Sequence, residues 1–302
     1  MDPRHFTLSI AAAFALVACD KNNDDFNIDN TKDTPITIVS AGVAELTTRA
    51  GTYPLEGTDA SSPATIGVFV TGGSETKYDA ANVEWEHGGS SWKKIGNETM
   101  LYEGAGSKQT IYACSPYDAN ATAGTITVTA TDRTDWLVAT ATPLTSNSVS
   151  LTMNHALAKL KLNVSGYGSE VSADDQEIKS VTVGNMYASG TLKISDNTWN
   201  LGDSPTTTEL TMTDYDDYEL LVIPMASCTS LPITITMEDG RKFKATIDCP
   251  VISPEDAEEK VYGLAPGTQY NIKLQIGQDK VTLGEITASP WGYAAGGVLE
   301  TK

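Results

Sequence analysis

Short runs in which Val, Ile, Leu and Thr alternate with polar side chains fill most of the chain beyond residue 35. Residues 149–153 show the pattern clearly, with Val149, Leu151 and Met153 on one parity and Ser150 and Thr152 on the other. Residues 157–164 repeat it through Leu160, Leu162 and Val164. A period of two sends successive side chains to opposite faces, so such runs predict strands with one face in a core and one in water. Comparable runs lie at 66–70, 109–112, 125–129 and 136–139, then at 178–183, 190–194, 209–212 and 218–223. Residues 233–237, 242–247, 270–276 and 281–286 complete the series. Gly, Asn, Asp and Ser separate them at short intervals, as tight turns require. A further extended segment opens at Ile36-Thr37-Ile38-Val39 and runs toward Arg49.

A 3.6-residue apolar stripe is missing. One helical turn is predicted, at Ser253-Pro254-Glu255-Asp256, where serine can cap, proline suits the first helical position and the acids suit the positive end of the dipole. The whole pattern predicts an all-β chain of the sandwich type. The polar stretch 166–177 divides it into two units, 50–165 and 166–302.

The first residues follow a different rule. A largely apolar run, 6–18, comes after Arg4 and His5 and closes on Leu16-Val17-Ala18-Cys19. A charged start, about a dozen mostly apolar residues and a small residue before the cut describe a secretory signal. The run is shorter than the roughly 20 residues a spanning helix needs. Cysteine directly after the small residue is similar to the lipobox of bacterial lipoproteins. Residues 1–18 are therefore expected to be removed between Ala18 and Cys19, with Cys19 lipidated. At about 0.8 kcal/mol per buried methylene, several acyl chains make a lasting membrane anchor. Residues 20–34 are polar and acidic and read as a solvated tether.

Composition narrows the function. A hydrophobic content of 40% suffices for packed cores. Formal charge is −19; seven of the 39 acids and four of the 20 bases lie in residues 1–49, so the remainder still carries −16. That field repels phosphate backbones, and nucleic acid is excluded as a partner. Apart from Cys19 the cysteines are Cys114, Cys228 and Cys249, an odd number that leaves at least one free thiol. Cys228 and Cys249 flank an expected hairpin turning at Glu238-Asp239-Gly240; they are a candidate disulfide or two thiols.

Catalytic chemistry finds little to work with. His87, beside Gly88-Gly89, reads as a turn residue, and His155, in an apolar stretch, as a structural one. No Gly-x-Ser-x-Gly context, phosphate loop or metal-ligand spacing appears. Glu84, Glu86 and Asp248 show no pairing of the kind acid–base hydrolysis needs. Asp214-Tyr215-Asp216-Asp217 lacks the spacing of a calcium loop. No enzyme, no metal and no cofactor is expected. Trp85, Trp92 and Trp199 are either a sugar-stacking platform or core residues.

Several segments taken together resemble the fimbrillins, the type V pilins of Gram-negative anaerobes. They are Ile111-Tyr112-Ala113-Cys114-Ser115-Pro116-Tyr117, Asp135-Trp136-Leu137-Val138-Ala139, the stretch around Asn154-His155-Ala156-Leu157-Ala158-Lys159-Leu160, Leu264-Ala265-Pro266-Gly267-Thr268-Gln269-Tyr270, and Ser289-Pro290-Trp291-Gly292. Cys114 and Ser115 depart from the aromatics usual at their positions. The resemblance implies two transthyretin-like β-sandwich domains in tandem. It also implies a lipoprotein carried to the cell outer membrane, surface-exposed, and built into a fimbrium with other pilin subunits.

In such pilins an Arg-specific protease cuts ahead of the first domain. Here Arg49, before Ala50, occupies that place, and the cut would release residues 19–49. The removable strand would then carry Ile36, Ile38, Val39, Val43 and Leu46. Loss of a packed strand leaves unpaired main chain and an apolar groove, which a strand from another subunit can fill. Val281, Leu283, Ile286, Trp291, Val298 and Leu299 make up the candidate donor. A monomeric outer-membrane lipoprotein that binds glycans is the alternative.

Overall fold

Alternation along the sequence becomes alternation in space. Strand β11 (Ser148–His155) buries Val149, Leu151, Met153 and His155 and exposes every residue between them. In the computed structural model the described residues are 32–44, 52–55, 63–167, 177–202, 206–213, 218–277 and 281–291. Ala18, Cys19, Leu46, Arg49, Ala50, Val298, Leu299 and the acidic loop 214–217 lie outside them.

An eight-stranded sheet forms the first half. Its order is β3 (Thr52–Pro54), β2 (Thr37–Ala44), β11, β10 (Leu137–Pro143), β8 (Thr110–Ser115), β4 (Ala64–Thr71), β5 (Ala80–His87) and β6 (Trp92–Lys94). A short pair, β1 (Thr34–Pro35) with β7 (Leu101–Tyr102), lies beside it in sequence. Ile66, Val68 and Val70 of β4 join Ile111, Leu137, Leu151 and Met153 in one core. Phe69, on the opposite parity of β4, faces a different core with Cys114 and Val138. Burial on both faces explains why β4 reads as a near-continuous apolar run.

Two four-stranded sheets sandwich the core of the second half. One runs β17 (Glu219–Val222), β12 (Ala158–Tyr167), β22 (Thr268–Ile276), β23 (Val281–Pro290); the other runs β16 (Thr207–Met212), β13 (Ile178–Tyr187), β19 (Ser230–Met237), β20 (Lys242–Asp248). Leu160, Leu162, Tyr270, Ile272 and Leu274 meet Val181, Val183, Met212, Ile233 and Ile235 between them. The β19–β20 hairpin turns where expected, with Gly240 at φ 86°, a left-handed value that glycine tolerates. Another antiparallel pair is formed by β18 (Met225–Ala226) and β21 (Gly263–Leu264).

A third core joins the halves. Strand β9 (Thr125–Thr129) pairs with β14 (Ser189–Lys193), which pairs with β15 (Thr198–Asn200). Ile126, Val128, Leu192 and Ile194 of this sheet pack with Phe69, Cys114 and Val138. The boundary drawn at 165/166 falls inside β12, whose hydrogen-bonded neighbours β17 and β22 belong to the second half. Residues 31–302 cluster as one unit.

The all-β expectation holds. The helical turn predicted at residues 253–256 does not form: this stretch is a loop spanning a bridge between Val251 and Tyr262. The Ser253 hydroxyl accepts from the Val261 N–H at 3.1 Å, across the loop, instead of capping a helix. A tertiary hydrogen bond outcompetes the local cap.

Candidate functional site

The segment 32–44 is built into the first core rather than laid on it. Strand β2 pairs in parallel with β11 from Thr37 opposite Ser148 to Val43 opposite Met153, and antiparallel with β3 over Gly42–Ala44. Ile36, Ile38, Ala41 and Val43 are all at most 3% exposed. Two even positions followed by two odd ones need a change of parity, and the register shows it. Ile38 faces Val149 while Ser40 faces Ser150, leaving Val39 as an extra residue. A bulge of this kind turns one side chain out of the alternation, and Val39 is 56% exposed. Of the residues assigned to the removable strand, Ile36, Ile38 and Val43 therefore face inward and Val39 faces outward.

Polar contacts secure the front of the segment. The Tyr78 hydroxyl donates to Asp33 Oδ1 at 2.7 Å, and the Lys77 ammonium lies 3.2 Å from the same oxygen. The hydrogen bond from Tyr78, then that from Lys77, hold the Asp33 carboxyl below the usual carboxylate range. The Ile36 N–H donates to the Met100 carbonyl at 2.9 Å and the Thr37 N–H to the Asn147 carbonyl at 2.7 Å.

Strand β2 is second from the edge of its sheet, with three-residue β3 outside it. Among the described residues, Thr37–Ser40 have no strand partner on the β3 side. A cleft of about 410 Å³ runs along Thr37, Ile38, Val39, Ser40 and Ala41, opposite Ser90, Ser91 and Trp92 of the β5–β6 hairpin. The chain between Ala44 and Thr52 carries Arg49. A cut there would leave β2 held by non-covalent contacts alone. Burying Ile36, Ile38 and Val43 contributes about 5–9 kcal/mol before ordering costs.

At the other end of the chain, β23 pairs with β22 from Val281 opposite Ile276 to Pro290 opposite Thr268 and is the outer strand of its sheet. Ile286 is partly buried against the second core. Trp291 is clamped. Its ring stacks on the buried His155 imidazole at 3.8 Å between centroids and 10° between planes. Its N–H donates to the Gly267 carbonyl at 2.7 Å, and Lys159 Nζ lies 5.5 Å over the indole. Asp135 Oδ1 holds His155 Nδ1 at 2.9 Å. Glu219 pairs with both Lys159 and Lys161. Burial pushes the Glu219 carboxyl up, but its two ammonium partners outweigh that and hold it below its ordinary value. The predicted donor thus divides at Trp291: 281–290 belongs to its own sheet, and Val298 and Leu299 come after the clamp in sequence.

Trp85 and Trp92, 4% and 7% exposed, pack in the first core, and the Trp199 indole N–H donates to the Ala156 carbonyl at 3.1 Å. They form no common sugar-stacking face. His87 is likewise a core residue at 8% exposure, its ring 5.4 Å from that of Trp92, and not a solvent-facing turn residue. Glu84 and Glu86 share a face of β5, whereas Asp248 sits on β20 in another sheet. Burial, then the neighbouring Glu86, pushes the Glu84 carboxyl up. No three His, Cys, Asp or Glu side chains come together as a metal-holding group among the described residues. Sequence reasoning missed the Asp33–Tyr78 tie and the His155–Trp291 stack, because their partners are 45 and 136 positions apart.

The model of the fimbrillin-like family matches residues 48–291. The chain belongs to the fimbrillin-like family. No curated protein matches it. Among solved structures, a candidate cell-adhesion protein from Bacteroides uniformis aligns with a TM-score of 0.61 at 19% identity, over 86% of this chain and 99% of that one. One from Bacteroides ovatus gives 0.61 at 16% identity, over 87% and 99%. A fimbrial protein from Bacteroides vulgatus gives 0.51 at 16% identity, over 85% and 99%. Likeness at these identities shows a shared fold. In this fimbrillin-like chain the matched span opens one residue before Arg49 and closes on Trp291. Strands β1 and β2 and residues 292–302 lie outside it.

Proposed function

We propose that this fimbrillin-like chain is a pilus subunit made as a lipoprotein precursor, anchored through Cys19 at the outer membrane and assembled by strand exchange after cleavage between Arg49 and Ala50. The observation that carries the reading is the state of β2: Ile38 and Val43, with Ile36 just ahead of them, sit in the core on a strand whose link to β3 contains Arg49. Cleavage converts an intramolecular strand into a dissociable one. Its departure would expose the hydrogen-bonding edges of β11 and β3 and an apolar groove, both unfavourable in water. An extended segment of a second subunit restores the main-chain hydrogen bonds and the buried contacts. Residues 292–302 are the proposed donor, rooted at Trp291, with Val298 and Leu299 as apolar anchors and Gly292, Gly296 and Gly297 supplying hinge freedom. Repeated head to tail, such a bond builds an open filament.

The test is to incubate the purified precursor with an Arg-specific protease. A new amino terminus at Ala50, loss of the 19–49 piece and growth of filaments by electron microscopy are expected, and Arg49→Ala should block all three. Cleavage at Arg49 that leaves monomers under assembly conditions would remove the exchange step; an uncut amino end would remove the processing step.

A further inference from the structure

Cys228 and Cys249 lie at the open end of the β19–β20 hairpin, on the rim of the second core. Ser230 and Asp248 form its last cross-strand pair. Just beyond, the Cys249 N–H donates to the Thr229 carbonyl and the Cys228 N–H to the Tyr262 carbonyl, each at 2.9 Å. With both backbones held, the two sulfurs meet at 3.2 Å, the Cys249 thiol donating to Cys228 Sγ. Both are free thiols. Of the three described cysteines Cys228 is the least covered, at 9% exposure against 3% for Cys249 and 0% for Cys114.

From this contact we infer that Cys228 and Cys249 are a preformed oxidation site, which a small disulfide oxidant closes into an intrachain bond, with Cys228 as the attacking sulfur and Cys249 as the resolving one. The Cys228 thiolate attacks one sulfur of the oxidant, breaks its S–S bond and becomes a mixed disulfide; the departing thiolate takes up a proton. Cys249 then gives up its proton, attacks Cys228 Sγ and expels the second half of the oxidant as a thiolate, which that proton neutralises. The cysteine pair loses two electrons and two protons, and the oxidant gains both.

The environment sorts the three thiols into roles. A hydrogen bond from Cys249 lowers Cys228 below the ordinary thiol value, which favours its thiolate. The same bond pushes Cys249 up, as suits the sulfur that reacts second. Burial pushes Cys114 up to about 12, and with 0% exposure it is closed to an oxidant, so it stays a thiol. Closure ties together the two ends of a hairpin whose second strand, β20, is the outer strand of its sheet. The site lies in the second core and is independent of any event at Arg49.

The experiment treats the folded full-length chain, Arg49 intact, with oxidised glutathione at pH 8. The chain is then denatured in N-ethylmaleimide and mapped by peptide mass. A cross-linked peptide pair holding Cys228 and Cys249, with Cys114 alkylated, is expected, together with a rise in Tm of roughly 5–10 °C that dithiothreitol reverses. Cys249→Ser should trap one glutathione on Cys228, and Cys228→Ser should leave Cys249 unmodified. Recovery of Cys228 and Cys249 as alkylated thiols in the wild type overturns the site. Glutathione trapped on Cys249 in Cys228→Ser, with none on Cys228 in Cys249→Ser, overturns the assigned roles. If either variant fails to fold, the wild-type peptide map decides the site, and the order of adduct formation in a time course decides the roles.

Discussion

Asp33 ties the front of the N-terminal segment to the body through two donors, Tyr78 and Lys77. Because its folded pKa is lowered, its contribution is present above the unfolded value of about 3.9 and is lost as pH falls through the lower folded one. The amides of Thr34 and residues 36–38 should therefore exchange faster, relative to their intrinsic rates, below about pH 4. Asp33→Asn should show that fast exchange already at pH 7, and the two proteins should converge at low pH; hydrogen exchange read by mass spectrometry checks this. Equal protection at pH 7 would show that the strand holds without its tether. Trp291 has the matching position at the other end, where a stack on His155 and a main-chain hydrogen bond to Gly267 hold the residue that precedes the proposed donor. Neither contact could be read from the sequence, since each joins residues with no shared local pattern.

The bulge at Val39 makes strand β2 a graded experiment. Ile38 is 2% exposed and Val39 is 56% exposed, although they are neighbours in one strand. Ile38→Ala should destabilise the precursor by about 2–4 kcal/mol, and Val39→Ala should change it by under about 0.5 kcal/mol. Chemical denaturation measures both. After a cut at Arg49 the Ile38→Ala loss should appear as retention of the 19–49 piece weakened by roughly 30- to several-hundred-fold, since 1.4 kcal/mol is about tenfold. Equal effects at the two positions would mean that the strand is held by its main chain alone. The extended character of this segment was legible from Ile36-Thr37-Ile38-Val39. The extra residue was not, because a bulge is decided by what the strand pairs with, and β11 lies more than a hundred positions away.

At the scale of the molecule, the third core decides how the halves behave. Leu192 and Ile126, from opposite halves, are cross-strand partners and both almost fully buried. Leu192→Ala should cost about 2–5 kcal/mol and lower a single calorimetric transition, with tryptophan fluorescence and far-ultraviolet dichroism melting together. Two separated transitions, with only one moved, would make the halves independent. The sequence by itself determined the all-β class, the positions of most strands and the turn at Gly240, because period-two alternation and turn chemistry are local properties carried by adjacent residues. It also placed Arg49 between two extended segments. Only the tertiary structure decided that β2 pairs in parallel with β11, that β12 shares a sheet with β17 and β22, that Trp85 and Trp92 belong to the core, and that two cysteines touch. Those outcomes depend on which distant surfaces bury each other, a choice set by the summed packing of the whole chain and written in no single stretch of it.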